Sequence, residues 1–155
     1  MPTVTTRAAA RAGLLGHFDA ILRVLPAEVS LALRHPDLPK AVMHGGVTMS
    51  WDDSDLDDPL KFLDIRYWVL GSTPETSDRY FDLVIGAWQQ LGWETSTEDG
   101  LPRAGYARTP DGFDFALMLS LDGYLSLAGS TPPFDQDGDT DDRMPARIEH
   151  PAAPR

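Results

Sequence analysis

The chain has 155 residues, a formal net charge of −11 and no cysteine. This length fits one domain, and the lack of cysteine excludes disulfides, thiolate catalysis and zinc–thiolate sites. The negative charge repels phosphate backbones, so we expect no nucleic-acid partner, whereas a basic protein or a divalent cation is a natural one. No segment approaches the roughly 18 apolar residues that a membrane span requires.

Residues 7–25 predict an amphipathic helix after a frayed segment at residues 1–6. Four apolar side chains recur at helical spacing before Pro26 ends the pattern: Leu14, Phe18, Ile21 and Leu25. Arg7 and Arg11 precede an apolar stretch, as in a signal peptide, but polar residues interrupt it and neither a cleavage site nor a lipobox follows. We interpret it as a helix of a cytoplasmic protein, packed on a sheet or, alternatively, docked on a membrane or partner.

Residues 26–59 contain few regular patterns. The segment at residues 29–33 fits either a short strand or a helical turn. Residues 47–51 predict a short strand, and residues 52–59 predict a polar loop.

The clearest strand pattern covers residues 61–70, where two sets of side chains alternate. Phe62, Asp64, Arg66 and Trp68 occupy one face, and Leu63, Ile65, Tyr67 and Val69 occupy the other. This period of two is typical of a strand with one dry and one mixed face. Gly71 ends the pattern.

A long helix is predicted at about residues 74–91. Residues 72–75 read Ser-Thr-Pro-Glu, which is a capping box with proline in the first turn. One apolar stripe follows, formed by Tyr80, Val84, Trp88 and Leu91. Gly92 can adopt the left-handed conformation that ends a helix, and Trp93 can then fold back on the last turn.

The remaining chain predicts a meander of short strands separated by Asp-Gly turns. These turns lie at residues 99–100, 111–112 and 122–123, where both residue types tolerate positive φ. We therefore predict an α+β fold: an antiparallel sheet of four to five strands, with the helix at about 74–91 on one face and the N-terminal helix in the same layer. The domain covers residues 7–133. Residues 134–155, rich in proline and aspartate, predict a disordered tail.

A set of short motifs lies between residues 45 and 135. They are Arg66-Tyr-Trp-Val-Leu-Gly71, Tyr80-Phe81, Trp88, Leu91-Gly-Trp93, Thr109-Pro-Asp-Gly112 and Leu125-Ser-Leu127 followed by Gly129-Ser-Thr-Pro132. Together they resemble a family of small actinobacterial lipoproteins and related secreted proteins. That family has no assigned activity, so the resemblance implies a fold and not a function.

The resemblance also implies a contact between two positions. Family members carry one cysteine before the first long strand and one after the last, at positions that match Trp51 and Pro133 here. The resemblance therefore implies that Trp51 and Pro133 lie side by side. The loss of both cysteines and of the lipobox fits a copy that lives in reducing cytosol.

Two aspartate clusters hold ten of the 24 acidic residues. The first cluster is Asp52, Asp53, Asp55, Asp57 and Asp58, and the second is Asp135, Asp137, Asp139, Asp141 and Asp142. Because the resemblance brings the starts of both clusters together, we predict that they form one surface, which we call the acidic pole.

Three interpretations of the acidic pole stay open: a solvated surface, a calcium site, or a docking surface for a basic protein. The alternating Asp135, Asp137 and Asp139 resemble the start of an EF-hand loop. However, Thr140 and Ala146 stand where that loop needs glycine and glutamate. We predict no metal ligand and no cofactor, and we take the first cluster with Asp135, Asp137 and Asp139 as the partner-binding residues.

Neither the histidines nor the aromatic residues form a recognisable catalytic motif. The four histidines, His17, His35, His44 and His150, are scattered and lack a nucleophile nearby in sequence. No catalytic residue is therefore predicted, and the chain is not expected to be an enzyme. The surface or pocket candidates are Trp51, Trp68, Trp88 and Trp93, but the helical and strand spacings of the aromatic residues favour core packing. Trp68 shares a strand face with Arg66 and is predicted to be exposed.

These observations favour a small acidic protein-binding domain whose partner is basic, such as an immunity or antitoxin-type inhibitor. The alternative is a lipoprotein-like domain of the cell envelope that binds a ligand or calcium.

Overall fold

The structure is a computed structural model, and it describes residues 6–43, 45–50, 60–100, 102–135 and 144–152. The described elements are, in chain order, α1 (Arg7–Leu22), β1 (Ser30–Ala32), β2 (Val47–Ser50), β3 (Leu60–Leu70), α2 (Ser77–Gln90), β4 (Glu94–Glu98), β5 (Arg103–Arg108), β6 (Asp114–Leu119), β7 (Leu125–Ser130), β8 (Phe134–Asp135) and β9 (Arg147–Ile148).

The α+β class holds, but the prediction of four to five strands with one long helix is wrong. Seven antiparallel strands follow the order β4-β5-β6-β7-β3-β1-β9, and both β2 and β8 also pair with β3. The added strands β1, β8 and β9 are only two or three residues long. Such short segments have no readable period, and only pairing with a distant strand defines them.

Strand β3 is the centre of the sheet, because other strands pair with it along both of its edges. On one edge β1 pairs with residues 68–70 and β2 with residues 61–64. On the other edge β7 pairs with residues 64–68 and β8 with residues 60–61. The predicted alternation is present, since Leu63, Ile65, Tyr67 and Val69 are all buried.

Both helices pack on the same face of the sheet, which we call the inner face. Glycines allow the close approach: a Cβ added at Gly105 would lie 2.3 Å from Ile85 of α2. A Cβ added at Gly129 would lie 2.8 Å from both Leu14 and Phe18 of α1. The core therefore lies between this one face and the two helices, and the opposite face, the outer face, has no helix in the described part of the chain.

The start of α2 differs from the predicted one. The helix begins at Ser77 rather than near residue 74, and its N-cap Thr76 makes no side-chain cap hydrogen bond. Ser72, predicted to cap the helix, instead donates a hydrogen bond to the carbonyl of Val69, at 3.2 Å. Leu91, the last residue of the predicted stripe, is 57% exposed.

The end of α2 forms as the sequence predicts. Gly92 has φ +79°, and the amide of Trp93 donates to the carbonyl of Trp88 at 3.0 Å. The ring of Trp93 folds back and stacks on Trp88 and Phe115, with centroids 6.3 and 5.7 Å apart. Hydrogen bonding and ring packing together fix the turn from α2 into β4.

The structure also places part of the predicted disordered tail on the core. Met144, Ile148 and His150 are buried, and β9 pairs with β1. The Tyr67 hydroxyl donates to the carbonyl of Pro145 at 2.9 Å, and burial raises the pKa of that hydroxyl, with the charge of Arg11 opposing. A few apolar residues, diluted among aspartate and proline in the composition, therefore anchor residues 144–152.

Two alanine substitutions in and beside α2 should have opposite effects on stability. A Cβ meets no atom within 4 Å at either Gly86 or Gly92, but only Gly92 has a positive φ. Gly86→Ala should stabilise the protein by about 0.5–1 kcal/mol, because alanine is the better helix former. Gly92→Ala should destabilise it by about 1 kcal/mol, because a Cβ disfavours left-handed backbone. Urea unfolding measures both, and equal effects would contradict the assigned helix end.

Removal of the Tyr67 hydroxyl should loosen the C-terminal segment. Tyr67→Phe leaves the partly buried Pro145 carbonyl without its donor, and we expect a loss of about 1–2 kcal/mol in the free energy of unfolding. Amide exchange should also speed up at residues 147–150. Tyr106→Phe is the matched control, since Tyr106 is 38% exposed on the outer face. If both variants behave alike, the Tyr67 hydroxyl does not hold this segment.

Candidate functional site

Most residues of the predicted acidic pole lie outside the described residues. These are the whole first cluster, together with Asp137, Asp139, Asp141 and Asp142. The structure describes only the backbone of Asp135, in β8. It does describe the residues on both sides of the two undescribed segments, 51–59 and 136–143.

Three of the four flanking residues, Ser50, Leu60 and Asp135, meet at one end of β3, and the fourth, Met144, lies nearer the middle of the strand. Leu60, which follows the first segment, pairs with Asp135, which precedes the second. Ser50, which precedes the first segment, pairs with Lys61. Met144, which follows the second, lies near Gly46, because a Cβ there would come within 3.7 Å of its Cγ.

The two segments attached at this corner carry most of the charge. Segments 51–59 and 136–143 contain nine aspartates and one arginine, a net charge of −8 out of −11. The rest of the chain therefore carries a net charge of only −3. The uneven distribution of charge along the chain follows from the sequence. The pairing of Leu60 with Asp135 joins one end of each charged segment to the same point of the sheet.

The predicted contact between Trp51 and Pro133 stays a prediction, because one of its two residues is not described. Trp51 itself lies outside the described residues. Ser50 and Phe134 both pair with Lys61, but from opposite edges of β3. Two strand spacings therefore separate Ser50 from Phe134, about 10 Å.

Two of the candidate tryptophans belong to the core. Trp88 is fully buried and Trp93 is 9% exposed. Both rings pack against Phe115 and fill the space between α2 and the sheet, where a ligand pocket was considered. Within the described chain the indole Nε1 of Trp88 has no hydrogen-bond partner.

Trp68 lies on the outer face and is half-buried rather than freely exposed. Its Nε1 donates to the carbonyl of Ala41 at 2.8 Å, so the loop after β1 covers part of the ring. Edge contacts with His35 and Tyr124 hold it further, with centroids 6.1 and 6.4 Å away. Beside it, Met118 and Leu121 help line an apolar hollow of about 430 Å³.

A larger groove of about 570 Å³ lies on the same face. Its floor is Ala116 and Ala128, which are neighbours in the β6–β7 ladder. Charged and hydroxyl side chains surround this floor: Asp64, Arg66, Glu94, Ser96, Tyr106, Arg108, Asp114 and Ser130. Sequence reasoning missed the groove, because two alanines in different strands become a floor only through the register.

The described histidines have structural contacts. The Nδ1 atoms of His35 and His150 accept the amides of Asp37 and Ala152, each at 3.0 Å, in two similar His-Pro turns. His150 also donates from Nε2 to the carbonyl of Leu25 at 2.9 Å. His44 lies outside the described residues.

His17 joins α1 to the β5–β6 turn. Its Nε2 lies 3.2 Å from a carboxylate oxygen of Asp111, and its ring contacts Trp93 and Phe113 edge-on, at 5.2 and 4.8 Å. Burial opposes ionisation of Asp111, but hydrogen bonds from Thr109 and His17 outweigh it and lower the pKa of that carboxyl. None of the hydrogen bonds of the described histidines reaches a hydroxyl nucleophile.

Neither a metal-ion cluster nor a membrane-spanning helix is present among the described residues. No three histidine, aspartate or glutamate side chains among them come close enough to hold a metal ion. None of the helices in this part of the chain has the length and hydrophobicity to cross a membrane.

No family model, curated protein or solved structure matches this chain. The resemblance to the actinobacterial lipoproteins therefore stays a prediction.

The pairing of Asp111 with His17 should stabilise the fold only above acidic pH. Because the pKa of Asp111 is lowered in the fold, its contribution is present above the unfolded-state pKa and disappears as the pH falls through the folded value. Asp111→Asn should cost about 0.5–1 kcal/mol at neutral pH, since the pair is partly exposed, and almost nothing at about pH 2. Urea unfolding at both pH values measures this. Asp122→Asn, in the next Asp-Gly turn, is the control, and a pH-independent cost for Asp111→Asn would contradict the pairing.

Proposed function

We propose that this protein binds a basic protein partner through its acidic pole, in the manner of an immunity or antitoxin-type inhibitor. The observation that carries the proposal is the pairing of Leu60 with Asp135, which attaches both acidic segments to one corner of the sheet. The two segments that flank this pair contain nine aspartates.

The charge distribution supports binding by electrostatic steering. At physiological salt the Debye length is about 8 Å, so charges act together only when they lie close to one another. A net charge of −8 on two segments joined at one strand pair satisfies this condition better than the same charge spread over the chain. Such a concentration speeds the encounter with a positive surface and excludes negatively charged partners.

The usual role of basic protein surfaces suggests the kind of partner. Clustered lysine and arginine side chains are what proteins use to bind nucleic-acid backbones. A protein that covers such a surface prevents its function, which is how an inhibitor of a nuclease-type toxin would work.

The test is retention of a partner from the lysate of the native host at low salt, followed by elution with rising salt. We expect one stoichiometric basic protein, released at about 0.3 M salt because screening weakens the contact. A variant with Asp52, Asp53, Asp55, Asp57 and Asp58 changed to Asn should lose this protein, since it removes half of the acidic pole.

The matched control removes the same charge elsewhere. Its five substitutions are to Asn or Gln at exposed acidic residues of other regions, namely Glu28, Asp37, Glu75, Glu98 and Asp99. This control should retain the partner with nearly unchanged salt dependence. Equal retention by both variants would show that the position of the charge is irrelevant and would refute the proposal.

A further inference from the structure

We propose that the groove on the outer face is a binding site for a free α-amino acid with a flat apolar side chain. In this site Arg66 holds the carboxylate, Asp64 holds the ammonium group, and the side chain lies over Ala116 and Ala128. The site is independent of the acidic pole and extends beyond the partner binding proposed above.

The register sets the shape of the groove. One row across the strands consists of Tyr106, Ala116, Ala128 and Arg66, in that order. Three strand spacings put about 14 Å between the backbones of Tyr106 and Arg66. Only methyl groups fill the middle of this row, so a planar group fits between the phenol at one end and the guanidinium at the other.

The contacts of Arg66 indicate that a ligand of the groove carries a carboxylate. It is half-buried, and in the described part of the chain its one hydrogen bond goes to the hydroxyl of Ser126, at 2.9 Å. Three other arginines of the sheet have carboxylate partners: Arg103 with Asp78 and Asp82, Arg108 with Asp114, and Arg147 with Glu149. No carboxylate among the described residues pairs with Arg66, whose planar guanidinium can bind a carboxylate through two parallel hydrogen bonds.

The charge of the groove favours a zwitterion over a simple anion. Its charged lining is Arg66 and Arg108 against Asp64, Glu94 and Asp114, a net charge of −1. Arg108 and Asp114 already pair at 2.8 Å. Asp64 accepts a hydrogen bond from Ser130 and has no cationic partner in the described chain. It therefore offers a free oxygen to an ammonium group.

Asp64 and Arg66 are also placed to bind both groups of one amino acid. They are two residues apart on the same face of β3, with Cα atoms about 7 Å apart. The carboxylate and ammonium groups of an α-amino acid are attached to the same carbon. One ion pair with Arg66 and one with Asp64 can therefore bridge the distance between these two residues. The side chain can then extend along the row of alanines toward Tyr106.

The test uses L-phenylalanine as the probe and the methyl resonances of Ala116 and Ala128 as the reporters. We expect saturable shifts of both methyl signals at millimolar phenylalanine. Two analogues each lack one charged group: 3-phenylpropanoate lacks the ammonium, and 2-phenylethylamine lacks the carboxylate. Each should bind at least about tenfold more weakly, because one charge-assisted contact is lost. Absence of any shift with phenylalanine would overturn the proposal, as would equal binding of either analogue.

Matched variants assign the contacts to residues. Arg66→Gln and Asp64→Asn should each weaken phenylalanine binding at least about tenfold. Arg147→Gln and Glu149→Gln make the same charge changes at an exposed pair outside the groove and should leave binding unchanged. Ala128→Leu should block binding by filling the floor while the inner-face resonances stay in place. Retained affinity in Arg66→Gln, or in Ala128→Leu, would overturn the site.

Discussion

The two-edged pairing of β3 is the constraint on which the rest of this fold depends. Its eleven residues are long enough to pair with two strands along each edge, and its buried set of side chains forms the middle of the core. The corner that joins the acidic segments and the Arg66 end of the groove are both parts of this one strand. A register shift of one residue would exchange its inner and outer faces, so core burial and site geometry are fixed by the same pairing.

Local patterns were enough to predict the elements with a readable period. The helical spacing of Leu14, Phe18 and Ile21, the alternation in β3 and the Gly92-Trp93 helix end all involve residues close in sequence, and all are present. Leu25 is also buried, but α1 ends at Leu22 rather than at the predicted Leu25. The sheet size was wrong because the short strands form only against distant partners. Likewise, the start of α2 was misplaced because the Ser72 hydroxyl bonds back to β3 instead of capping the helix.

The candidate sites show the same division. Charge can be counted from sequence, so the two aspartate clusters were identifiable, but the pairing of Leu60 with Asp135 between them became visible only in the structure. The groove was not predictable, because Ala116, Ala128 and Arg66 have no shared local signal and belong to three strands. For the tryptophans, spacing favoured core packing over a pocket between helix and sheet, and Trp88 and Trp93 are indeed buried.

The position of β9 has a consequence for the order of folding. This strand, at Arg147–Ile148, covers the edge of β1, and His150 bonds to Leu25 across 125 residues of sequence. During synthesis α1, β1 and β3 leave the ribosome long before residues 147–150 exist. The edge of β1 is therefore unpaired throughout that interval, and an unpaired edge is where nascent chains associate wrongly. Because β1 is only three residues long, little strand edge is exposed before β9 is synthesised and pairs with it.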